Sequence, residues 1–208
     1  MTKIDLKEDL QQFYSASPED ISIVEVPPLR YLMAKGQGDP DSSPPFQQAT
    51  ETLFRLSYML KFMLKKDRGL DYTVMPLEGL WCANGELTAC AEGRRHEWKW
   101  TLMILQPDFI TQDMVAAARE ATQNQKIAPP LFDLTFGRHT DGQSAQIMHL
   151  GPYTEVSTTI ARLHRLIKEK GYHFAGPLHE IYLSNPRRTA PEKLRTILRQ
   201  PITLEAQR

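Results

Sequence analysis

Gly171-Tyr-His-Phe-Ala-Gly-Pro-Leu-His-Glu-Ile-Tyr-Leu-Ser-Asn-Pro186 is the stretch whose reading decides the fold. Between Leu178 and Ser184 its residues alternate, so Glu180, Tyr182 and Ser184 share one face of a short strand while Ile181 and Leu183 share the other. An apolar face packs against a core. A carboxylate beside a phenol has two readings: the solvated side of a half-exposed sheet, or the wall of a cleft. The tryptophans on neighbouring strands favour the cleft, because a water-facing surface that aromatic is unusual in a soluble monomer.

Upstream, Tyr153 to Gly171 carries a helical stripe of Val156, Ile160, Leu163 and Ile167, capped by Thr154 or Ser157 and stopped at Lys168-Glu-Lys-Gly171. Before it, Leu131–Arg138 and Gln143–Leu150 read as a hairpin turning at Asp141-Gly142. After Glu180, Thr189-Ala-Pro-Glu192 has a capping-box pattern and leads into a last strand over Arg195–Ile202. This half is strand-helix-strand-strand.

The first half repeats the order. Ile21–Lys35 is a strand interrupted by Pro27-Pro28, which confine it to an edge or a bulge. Pro45 opens a long helix with the stripe Phe46, Ala49, Leu53, Leu56, Leu60 and Leu64, flanked by Phe54, Tyr58 and Phe62. Lys65-Lys-Asp-Arg-Gly69 ends that helix as cations and a left-handed cap should. Tyr72–Cys82 and Glu97–Gln106 follow as strands joined through Ala83-Asn84-Gly85 and a charged loop near Arg95. Strand parity puts Trp98 and Trp100 on one face and Glu97 on the other.

The matched helix ends, with Trp100–Pro107 set against Arg195–Pro201, indicate a weak internal repeat. The expected architecture is α+β: two fused strand-helix-strand-strand repeats in a single domain. Repeat one runs over about 21–107, a connector helix over about 108–128, opened by Thr111, and repeat two over about 131–202. Both helices are expected on one face of the sheets, with a groove between pseudo-symmetric strands on the other. Residues 3–14, with Ile4, Leu6, Leu10 and Phe13 as the apolar set, are expected to form a short amphipathic helix that serves as a loosely docked arm.

Composition bounds the function. The 208 residues carry 25 Lys and Arg against 25 Asp and Glu, so no positive field argues for nucleic acid. The start lacks a signal-peptide core and no segment approaches the roughly 18 apolar residues of a membrane span, so a cytoplasmic location is expected. Cys82 and Cys90 flank a turn and do not suggest a disulfide framework. The six histidines lack converging ligand spacings, and no Gly-rich phosphate loop or Gly-x-Ser-x-Gly elbow appears, so neither metal nor cofactor is expected.

What remains is Glu180 with Tyr182, plus Trp81, Trp98, Trp100 and Tyr153 as aromatic walls, a set suited to a planar lipophilic ligand. Glu97 and Glu155 read as solvated or first-turn acids, and His179 as a packed residue. The segment His179–Ile202, with Val74-Met-Pro-Leu-Glu-Gly-Leu-Trp81, Trp98–Pro107 and Leu150-Gly-Pro-Tyr153, resembles the GyrI-like small-molecule-binding proteins. It is most similar to their stand-alone branch containing cyclopropanoid cyclopropyl hydrolases. The resemblance covers about Ile21 to Ile202 and implies that Glu180 heads the central Glu-x-Tyr and that Trp98 and Trp100 form the Trp-x-Trp. Cys82 departs from that branch, which has a second Trp after the position of Trp81. Two functions follow: a ring-opening hydrolase in which Glu180 activates water and Tyr182 or another donor stabilises charge, or a non-catalytic binder in which Glu180 pairs with a lipophilic cation.

Overall fold

The computed structural model describes residues 2–81, 95–123 and 132–204. The expected turn at Ala83-Asn84-Gly85, both cysteines and the end of the connector helix lie outside the described residues. In place of the one helix expected over residues 3–14, the N-terminal arm contains strand β1 (Thr2–Ile4), the single turn α1 (Leu6–Asp9) and a 3-10 turn at Gln11–Phe13. Strands β2 (Ser22–Val26) and β3 (Leu29–Gln37) follow, divided by Pro27 and Pro28.

Helix α2 (Pro44–Arg68) starts with prolines in its first turn, where no backbone donor is needed, and ends at Gly69 with φ 66°. Its buried side chains include Ala49, Leu53, Leu56, Leu60 and Leu64, the expected stripe. Beyond it come β4 (Leu70–Tyr72), β5 (Leu77–Trp81) and β6 (Lys99–Leu105). Helix α3 (Gln112–Gln123) is opened by Thr111, whose hydroxyl accepts from the amide of Met114 at 3.3 Å. Then follow β7 (Thr135–His139), β8 (Gly142–Leu150), α4 (Val156–Glu169), β9 (His173–Phe174), β10 (Leu178–Tyr182) and β11 (Arg195–Thr203). Neither Thr154 nor Ser157 caps α4: Tyr153–Glu155 form a 3-10 turn that leads directly into it.

Among the described residues nine strands form one curled sheet in the order β2-β8-β11-β10-β5-β6-β3-β7, with β9 added to β11. Every pairing in it is antiparallel. The expected hairpin at Asp141-Gly142 does not form. Strands β7 and β8 are the two arms of one bent strand, and they pair with β3 and β2, the two arms of the other. The register does not slip across the bend, since Val26 faces Gly142 and Leu29 faces His139. Proline at 27 and 28, which cannot donate to a ladder, and Gly142 at φ 63° accommodate the corner.

Strands β5 and β10 meet at the centre of the sheet, where Gly79 faces Glu180. They are counterparts residue by residue, Leu-Glu-Gly-Leu-Trp against Leu-His-Glu-Ile-Tyr. The two Gln-Pro pairs are not counterparts. Pro201 faces Ser144 as Leu105 faces Tyr31, so the equivalence lies two residues away from that pairing.

Helix α4 packs Leu163 and Ile167 onto Leu178, Leu198 and Ile147, while Phe46 of α2 lies over Trp81 and Trp100. By register these positions share the face of Glu180. The groove between repeats is therefore on the helix face, not opposite it as expected, because β5 and β10 leave a gap between the two helices. The opposite face is covered by the arm, which is not loose. Phe13 and Tyr14 are buried, and the Tyr14 hydroxyl donates to Glu78 Oε1 at 2.6 Å. Gln146 Nε2 donates to the carbonyls of Gln12 and Ser15, and β1 runs parallel to β4.

Candidate functional site

Strand β10 sends Glu180 and Tyr182 to the helix face, and a strand is stiff enough to hold the pair in one geometry. The Tyr182 hydroxyl donates to Glu180 Oε2 at 2.8 Å and accepts from Trp81 Nε1 at 3.2 Å. Both residues are half-buried. Gly79 makes this possible: a Cβ there would sit 3.0 Å from Trp81 Nε1 and 3.3 Å from the Tyr182 hydroxyl. A carboxylate set among rings loses hydration, which disfavours its charged form. Burial pushes Glu180 up to about 7, against the lowering pull of the Tyr182 hydrogen bond, the His179 charge and Trp81. Tyr182 is pushed well above the ordinary phenol range by burial and by the adjacent Glu180, so it holds its proton.

The aromatic residues take distinct places around this pair. Trp81, 7% exposed, stacks with Phe46 at 6.1 Å and meets Trp98 edge-on at 6.1 Å. Tyr153 stands edge-on to Tyr182 at 5.6 Å and is 37% exposed, which puts it at the rim. Trp100 lies beneath Phe46, 2% exposed, with its ring occupying the space a side chain at Gly36 would need. It supports the wall and shows no open face. Strand β6 begins at Lys99, so strand parity does not set the direction of Trp98 or Glu97: Glu97 belongs to a 3-10 turn and Trp98 follows it. The Arg95 guanidinium caps the Trp98 ring at 5.1 Å and is itself held by Asp39 at 3.1 Å and Asp41 at 2.8 Å. Phe46 and Gly79 were missed by the sequence reading. Phe46 looked like part of a core stripe, whereas Gly79 stands where its counterpart strand has Glu180.

Behind the site, on the arm face, a buried ionic group connects strands that sequence spacing does not connect. His179 Nδ1 contacts Asp141 Oδ2 at 2.8 Å and Nε2 contacts Glu78 Oε2 at 2.9 Å. Burial alone would lower His179, but the two carboxylates outweigh it and hold the imidazole at about 9. Arg199 Nη1 reaches Asp141 Oδ2 at 3.1 Å, its other nitrogens reach Gln146 and the Phe13 carbonyl, and His139 Nε2 meets Asp141 Oδ1 at 2.8 Å. Despite burial, the His179 charge, the hydrogen bonds from His139 and His179 and the Arg199 guanidinium hold Asp141 well below the usual carboxylate range. Histidines that are scattered in the sequence are thus gathered in space. His139, Asp141 and His179 offer donor atoms within 4.8 Å of one another. They do not suit a metal ion: both nitrogens of His179 are spent on carboxylates, and the Arg199 guanidinium occupies Asp141.

A pseudo-symmetric α+β scaffold with an aromatic-walled carboxylate between its two helices defines a small-molecule receptor, with or without chemistry. The chain belongs to the GyrI-like family: the GyrI-like small molecule binding domain matches residues 19–203. An uncharacterised conserved protein from Listeria innocua is 34% identical, with a TM-score of 0.87 over 96% of this chain and 100% of that one. A hydrolase from the same organism is 32% identical, with a TM-score of 0.82 over 96% of this chain and 100% of its own. A further solved structure of a Listeria innocua hydrolase, also 32% identical, has a TM-score of 0.84 over 97% of this chain and 100% of that one. No curated protein matches the chain. Among the described residues no helix is long and apolar enough to cross a membrane.

Proposed function

We propose that this chain binds a planar, lipophilic, conjugated molecule against Trp81 and Phe46 and opens its strained cyclopropane ring by adding water. Such a reaction would detoxify cyclopropanoid DNA-alkylating natural products. The observation that supports it best is the Glu180 carboxyl, recessed among rings, pushed up to about 7 and fixed by Tyr182 at 2.8 Å. A base with that affinity for protons is matched to neutral pH. The 32% identity with Listeria innocua structures called hydrolases supports an enzyme as well.

In this reading Glu180 accepts a proton from water as the water oxygen bonds to the cyclopropane carbon. The ring carbon–carbon bond breaks, and its electron pair moves through the conjugated system to the carbonyl oxygen, which is protonated to give the phenol. Water is the only co-reactant. Tyr182 already donates to Glu180, so it orients the carboxylate. In this reading Tyr153, at the rim and raised by burial and by Glu180, keeps its proton and is the phenol that donates to the carbonyl oxygen. The second reading, a non-catalytic receptor in which ionised Glu180 pairs with a lipophilic cation, is favoured by the same rings.

Isotopically labelled water decides between them. A spirocyclopropyl dienone should return as its labelled ring-opened adduct, and Glu180→Gln should slow that conversion by roughly 10²–10⁴-fold while the compound still quenches tryptophan fluorescence. A bound compound returned unopened leaves the receptor reading.

A further inference from the structure

Helix α2 buries Leu53, Leu56, Leu60 and Leu64 against the sheet. At about 100° per residue, Tyr58 points about 160° away from Leu60, on the side a globular protein normally gives to charged residues. Here that side is aromatic. Phe54, Tyr58 and Phe62 follow at four-residue spacing with stacked rings, 6.5 Å and 6.2 Å between successive centroids. Tyr58 is 46% and Phe62 58% exposed. The stacking holds the rings in one arrangement, so little side-chain freedom remains to be lost on contact.

The charges at the ends of this ladder are of opposite sign and equidistant from its centre. Seven residues before Tyr58, on the same face, Glu51 is exposed and has no partner among the described residues. Seven residues after it is Lys65. Lys65 and Lys61 share the single carboxylate of Asp71, at 2.9 Å and 3.1 Å, so this end keeps a net positive charge. Turned through a two-fold, this face brings its aromatic middle onto itself and sets the exposed Glu51 of one copy opposite Lys65 of the other.

We propose that α2 packs antiparallel against α2 of a second copy of this chain, about a two-fold through Tyr58. Phe54 then meets the partner's Phe62, and Glu51 meets the partner's Lys65. The copies approach on the side of the helix away from the sheet, leaving Phe46 and the Glu180 groove untouched. One helix pair is expected to bury less than the roughly 1,200–2,000 Å² of a standard interface, the size class of transient contacts, so the dimer should form reversibly. This assembly is independent of whether Glu180 does chemistry.

Sedimentation velocity from about 5 to about 500 µM spans the Kd expected for so small an interface. The wild-type protein should pass from monomer to dimer. Tyr58→Lys should weaken association at least about tenfold, and Glu51→Lys by roughly the same factor; adding Lys65→Glu to Glu51→Lys should restore it, with Lys61 still holding Asp71. Tyr58 and Glu51 are exposed, so unchanged thermal melts confirm that folding is intact. A wild-type protein monomeric throughout, or a dimer indifferent to Tyr58→Lys and to charge reversal, overturns the proposal. So does a monomer that instead co-floats with phosphatidylglycerol vesicles.

Discussion

Replacing Glu180 by Gln should make the protein more stable, and only above a particular pH. The sign follows from where the proton is held. In the unfolded chain the carboxyl ionises at its ordinary value of 4.5, whereas in the folded protein it keeps its proton to about 7. Below 4.5 both states are protonated and the residue costs nothing. Between 4.5 and about 7 the unfolded state sheds its proton while the folded state does not, so stability falls as pH rises; above about 7 the loss is complete. At about 1.4 kcal/mol per pH unit this amounts to about 3 kcal/mol, and allowing for the solvent that a half-buried carboxyl retains, about 2–3 kcal/mol. Gln preserves the shape and still accepts from Tyr182, yet never ionises. Its melting temperature should match that of the wild type near pH 4.5 and exceed it at pH 8 by about 2–4 °C per kcal/mol, hence about 4–12 °C. Paired calorimetric scans from pH 4.5 to 9 measure the difference, which cancels every titration the two proteins share. A difference that stays flat across this range, or a wild-type protein that is the more stable at pH 8, would refute the argument that Glu180 is desolvated by its rings.

Three further outcomes test the surroundings. Gly79→Ala forces a methyl group to 3.0 Å from Trp81 Nε1. Displacing the Trp81–Tyr182 contact should weaken binding of a planar ligand about tenfold in a fluorescence titration, with about 1–3 kcal/mol lost from stability by overpacking. His179→Gln leaves Glu78 and Asp141 without the imidazolium between them and should cost about 3–5 kcal/mol in urea denaturation; losing that positive charge should also raise the Glu180 midpoint in a carboxyl NMR titration. Tyr14→Phe removes the donor to Glu78, costing about 1–3 kcal/mol, and hydrogen exchange should show faster amide exchange confined to the arm around residues 11–17.

Much of the local structure was legible because its causes are local. The α2 stripe, the glycines at φ 66° and φ 80° that stop α2 and α4, and the alternation that puts Glu180 beside Tyr182 are all set by neighbours within a few residues. The order strand-helix-strand-strand followed from these. What was not legible was where strands find partners. Asp141-Gly142 satisfies a hairpin turn chemically, yet β7 and β8 each find a longer ladder with β3 and β2, and the local preference yields. Trp98 looked like a strand residue until the 3-10 turn at Arg95–Glu97 delayed the strand by two positions. The ionic group behind the site has no spacing to read, since Tyr14 and Glu78 are 64 residues apart and Asp141 and His179 are 38 apart. One signal was available in the sequence: aligning Leu77–Trp81 with Leu178–Tyr182 pairs Gly79 with Glu180 and Trp81 with Tyr182, the residues at the centre of the groove.

The crossing of the two bent strands sets how the chain reaches this state in time. Val26 finds Gly142 only after the whole first repeat and the connector have been made, and no turn brings the two together. The loop-closure cost of such a contact grows only slowly with length, but it is incurred before any ladder hydrogen bond forms. The helices and the local β5–β6 and β10–β11 ladders can assemble early, whereas the crossing ribbon closes last. Substitutions along Ser22–Val26 and Gly142–Gln146 should therefore speed unfolding and leave the refolding rate nearly unchanged, so that this seam governs the lifetime of the folded molecule.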